Sequence, residues 1–99
     1  MNEQQRIDQM KNGNIAEIKR SISSDTPILV MNSLIFGAKN NVVDDNYIEK
    51  VKIMCSNDTV LMGFQISSVA KAVLSVLSGT KYSGDDLVTK SLIDNIYNI

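Results

Sequence analysis

The chain has 99 residues, 43% of them apolar and 21% charged, with ten basic and eleven acidic side chains, a formal net charge of −1 and a pI of about 5.2. That is the composition of one ordinary globular domain, 1–99, with a single modest core, because a chain of this size buries roughly 60 to 70% of the surface it exposes when unfolded. It excludes a general electrostatic attraction for nucleic-acid phosphates. With no histidine and one cysteine, Cys55, it also excludes Cys/His metal centres, an intramolecular disulfide and the commonest general base.

Taken in chain order, Asn2 to Lys11 carries Ile7 and Met10 on one face and stops at Asn12-Gly13, where glycine suits a left-handed C-terminal residue. Asn14 is placed to cap a second short helix, with Ile15, Ile18 and Ile22 inward and Glu17, Lys19 and Arg20 towards water. The two make a hairpin over residues 1–23. Asp25 or Thr26 then caps a helix with Pro27 in its first turn, where the missing backbone donor costs nothing. This helix is apolar around most of its circumference and is expected to be largely buried. After "KNNVVDDN" a polar-faced helix runs from about Asp45 to Cys55, with Ile48, Val51, Met54 and Cys55 inward and Asn46, Glu49, Lys50 and Lys52 outward.

Residues 58–99 repeat that order. Asp58 and Thr59 are expected to open a helix reaching about Leu77 and closed by Ser78-Gly79, with Asn57 or Asp58 as its cap. Asp85 and Asp86 begin a last helix with Val88, Leu92 and Ile96 on one side. Gly37 and Gly63, both inside helical runs, are read as permitting close helix approach. No segment alternates well enough for a strand, so the expected class is all-α, with about six helices in three antiparallel hairpins over 1–23, 24–57 and 58–99. Asp25 and Asp58 lie 33 residues apart, and a carboxylate pair, Asp44-Asp45 or Asp85-Asp86, starts the second helix of each later hairpin. From Ser24 to Asn98 the pattern resembles HEAT-like repeats, which implies a short solenoid; an irregular helical bundle is the alternative.

Cys55 is on an inner stripe with no histidine to activate it, and reads as a buried structural thiol. The carboxylate pairs read as helix caps, with a partner-facing acidic surface superimposed on that role. Phe36 and Phe64 are assigned to the core. Tyr47, Tyr82 and Tyr97 lie on or beside the outer helices and are candidate anchors, because tyrosine offers a large contact area at low entropic cost. The candidate partner-binding residues are therefore Asp44, Asp45, Tyr47, Glu49, Tyr82, Asp85, Asp86, Asp94 and Tyr97, with no catalytic, cofactor or metal site. A compact, acidic, histidine-free chain of this kind resembles small bacterial immunity or antitoxin proteins, some built from HEAT-like helices. The resemblance implies a cytoplasmic, non-catalytic inhibitor that covers a basic toxin domain and engages neither nucleic acid nor membrane. A regulatory adaptor or self-associating subunit is the alternative.

Overall fold

A computed structural model of the chain describes residues 2–61 and 63–79. Within them lie five helices, α1 (Glu3–Lys11), α2 (Ile15–Ser21), α3 (Pro27–Lys39), α4 (Asp45–Met54) and α5 (Ile66–Ser78), and one hairpin of two-residue strands, β1 (Val60–Leu61) and β2 (Phe64–Gln65). The described residues are thus mostly helical, compatible with a helical bundle, with one small two-stranded sheet besides. The expected last helix, with Asp85, Asp86, Asp94, Tyr82 and Tyr97, lies outside the described residues.

Helix ends follow the local chemistry. Asn2 and Gln5 form a reciprocal capping box at the start of α1. Gly13, at φ +85°, ends it, with its N–H on Met10 O and the Asn14 N–H on Gln9 O. Asn14 Oδ1 accepts the Glu17 N–H to open α2. Pro27 stands at the start of α3 as expected, although Thr26 makes no side-chain capping bond. The far end of α3 is a second left-handed turn, built on asparagine: Asn41 has φ +53°, its N–H meets Ala38 O, the Val42 N–H meets Gly37 O, and Val42 is buried. Gly79, at φ +70°, closes α5.

The principal departure from expectation follows Asn57. Val60 pairs with Gln65 and Leu61 with Phe64 in antiparallel register, and Gly63, at φ +81°, serves the turn between them. A Cβ at Gly63 would meet nothing within 4 Å, so this glycine permits no helix approach. Asp58 and Thr59 open a strand rather than a helix. α5 begins at Ile66, and its first N–H groups are taken by main-chain oxygens: Ile66 N–H by Thr59 O at 2.9 Å and Ser67 N–H by Asn57 O at 2.7 Å. Asn57 thus serves α5 through its carbonyl, while its side chain accepts the Thr59 N–H. Phe64 lies on β2, half-buried against the core, not inside a helix.

α3 is the central element, touching α1, α2, α5 and β1, and α4 packs along α5. α4 also meets α3, where its polar link runs through Tyr47. The core gathers Met10, Ile18, Ile22, Leu29, Val30, Met31, Leu34, Val51, Ile66, Val69 and Val73. Ile15, expected inside, is 42% exposed. Glu17, expected in water, is 1% exposed. Its carboxylate takes a hydrogen bond from Arg6 Nε and one from Ser21 Oγ at 3.2 Å, and lies 3.2 Å from Arg20 Nη1. Burial raises its pKa, but the hydrogen bond and charge of Arg6, the Ser21 hydroxyl and the charge of Arg20 outweigh burial and hold it below the ordinary 4.5.

Candidate functional site

α4 has two unlike sides. Its inner side is pinned by Val51, fully buried, and Tyr47, 2% exposed, with Ile48, Met54 and Cys55 half-buried beside them. Tyr47 is the largest of these. Its hydroxyl donates to Ser33 O at 2.7 Å, and the Ser33 hydroxyl donates to Ile18 O at 2.6 Å, so one neutral relay ties α4 to α3 and α3 to α2. The ring occupies the space left by Gly37, where an added Cβ would stand 2.7 Å from Cζ, 2.9 Å from Cε1 and closer still to the hydroxyl oxygen. The close approach read from Gly37 is real, and tyrosine makes it. Burial pushes the Tyr47 phenol up from 10.0 to about 12, the Ser33 side-chain hydroxyl, 3.3 Å from the phenol oxygen, opposing. Tyr47 is thus corrected from a surface anchor to an interior residue.

The outer side carries the carboxylates. Asp44 is the N-cap: its Oδ1 accepts the Tyr47 N–H at 3.1 Å and its Oδ2 lies 3.1 Å from Lys19 Nζ. The Tyr47 backbone bond, followed by the Lys19 ammonium, depresses its pKa despite some desolvation. One carboxylate therefore both caps α4 and fastens it to α2. Asp45 and Glu49 are exposed, and Glu49 pairs with Lys52 at 3.2 Å. Ile53 follows at the same four-residue spacing and is 61% exposed. Positions 45, 49 and 53 share a helix face, so α4 presents two carboxylates in line with an uncovered isoleucine. Sequence reasoning missed Ile53; its register with Asp45 and Glu49 was the available signal.

Of the nine candidate residues, the structure brings Asp44, Asp45 and Glu49 to the outside of α4 and Tyr47 to its inside. Tyr82, Asp85, Asp86, Asp94 and Tyr97 lie outside the described residues. Cys55 is half-buried, its thiol donates to Val51 O at 3.5 Å, and burial raises its pKa against the opposing charge of Lys71. Among the described residues no three His, Cys, Asp or Glu side chains converge to hold a metal ion, and no helix is long and apolar enough to cross a membrane. No protein-family model matches the chain, and neither a curated protein nor a solved structure matches it.

Proposed function

We propose that the chain is a non-catalytic protein-binding module whose partner seats on the outer face of α4, and that it is an inhibitor of the immunity or antitoxin type that covers a basic toxin domain. The observation that supports this reading is the Asp45, Glu49, Ile53 line. An exposed aliphatic side chain bordered by carboxylates has the character of an interface: an apolar contact for affinity, with charge around it to steer encounter and reject wrong partners. Tyr47 and Val51 on the inner side of α4, with the Asp44–Lys19 pair at its start, hold that line rigid, and rigidity lowers the entropic cost of docking. A short HEAT-like stack, with α3 as inner and α4 as outer helix, would present the same face.

The test is affinity capture from the source cells, followed by binding measurements on the purified partner. Ile53→Asp should weaken binding about a hundredfold, mainly through faster dissociation. Asp45→Asn with Glu49→Gln should slow association and reduce its salt dependence. A partner bound equally well by all three proteins, each shown to be folded, would remove the α4 face from the reading. A captured partner that retains its activity while bound would remove the inhibitor role.

A further inference from the structure

Where the end of α2 meets the start of α4, a notch of about 90 Å³ opens, lined by Lys19, Ile22, Ser23, Asn46, Tyr47 and Lys50. A water needs roughly 10 to 15 Å³ of such space, so the notch has room for several waters or one tetrahedral oxyanion. Its polar lining residues, Lys19, Ser23, Asn46 and Lys50, all have side chains that can donate. Among the described residues no carboxylate is part of its lining. Its walls include Ile22 and Tyr47, 1% and 2% exposed, and a low-dielectric wall beside like-signed charges concentrates their field.

The two lysines are not equivalent. Lys19 is held by Asp44, itself fixed as the cap of α4, so its ammonium is positioned and its charge locally offset. Lys50 is half-buried and forms no ion pair among the described residues. It supplies the uncompensated charge, while Lys19 supplies an oriented donor.

We infer that this notch binds a phosphate group, held between Lys19 and Lys50 with Ser23 and Asn46 donating to its remaining oxygens. Free inorganic phosphate and a phosphate monoester carry the same recognised group, and both are used in the test.

Amide resonances of the ¹⁵N-labelled chain are followed through titrations with inorganic phosphate and, separately, with O-phosphoserine, with ionic strength held constant by chloride. The expected result is saturable shifts centred on Ser23, Asn46 and Lys50 with at least one of the two. Saturation by phosphate identifies the free ion as sufficient, whereas saturation by phosphoserine alone identifies the monoester. Lys50→Gln should weaken binding about tenfold, Lys50→Arg should restore most of it, and Lys39→Gln, on exposed α3 surface, should leave it unchanged. The spectra of the variants report their folding directly. Shifts that rise linearly without saturating, spread equally over Lys11, Lys39 and Lys52, or persist unchanged in a folded Lys50→Gln protein would overturn the inference.

Discussion

Where α1 meets α2 the buried polar contact is ionic, with Arg6, Ser21 and Arg20 closing around the Glu17 carboxylate; where α4 meets α3 it is neutral, a tyrosine hydroxyl on a main-chain carbonyl. The first depends on charge and places modest demands on shape, since Arg6 is 22% exposed and reaches its partner on a long stem. The second depends on shape, since the Tyr47 ring fits only because residue 37 has no side chain. The two contacts should therefore fail at opposite ends of the pH scale. Glu17 has a folded pKa below its ordinary 4.5, so its contribution is complete above that value and is lost as pH falls through the folded one. Tyr47 has a folded pKa raised from 10.0 to about 12, so its contribution is complete below pH 10 and is lost as pH rises towards 12.

The largest effect is expected from breaking the ionic contact. Glu17→Ala leaves Arg6 facing a cavity and should cost about 3 kcal/mol in urea unfolding at pH 7, the low end for a broken buried pair because Arg6 retains some contact with water. The penalty should shrink as pH falls through the folded pKa of Glu17. A loss independent of pH would mean that packing, not charge, holds this corner. Next comes the alkaline limb: a phenol raised from 10.0 to about 12 corresponds to roughly 2 to 3 kcal/mol lost between pH 10 and 12. Tyrosinate absorbance should show Tyr47 ionising together with unfolding, and Tyr47→Phe should remove that part of the pH dependence. The smallest effect tests the fit itself. Gly37→Ala gains about 1 kcal/mol of helix propensity but overpacks the ring, for a net loss of about 1 to 2 kcal/mol by thermal or urea unfolding. The loss should be smaller in a Tyr47→Phe background, though not absent, because Cζ and Cε1 remain within reach.

Helices bounded by their own side chains were legible in the sequence. Gly13, Asn14, Pro27 and Asp44 each carry a local reason to start or stop a helix, and α1 to α4 begin and end within a residue or two of expectation. The stretch from Val60 to Gln65 was not legible in this way, because a short apolar run has no periodicity that separates strand from helix. Gly63 within that run was the remaining cue. α5 then starts without a side-chain cap, on main-chain oxygens that exist only after the preceding loop has folded. Glu17 was misread because charge was weighed above register: it precedes Ile18 and lies four residues before Ser21, at the edge of the buried stripe. Tyr47 was assigned to the surface by its polar neighbours, whereas its partner Gly37 lies on another helix and the contact is tertiary.

The turn after α1 has a chemical consequence. An asparagine followed by glycine is the pair most prone to deamidate, because the glycine nitrogen can attack the asparagine side chain and close a five-membered imide. Here that nitrogen is engaged, its N–H bonded to Met10 O at 3.0 Å, and the chain is held at φ +85° by the helix end. Asn12 is accordingly protected for as long as the turn stays closed, and its conversion to aspartate or isoaspartate, followed by peptide mapping of aged samples, becomes a slow clock for how often the first hairpin opens.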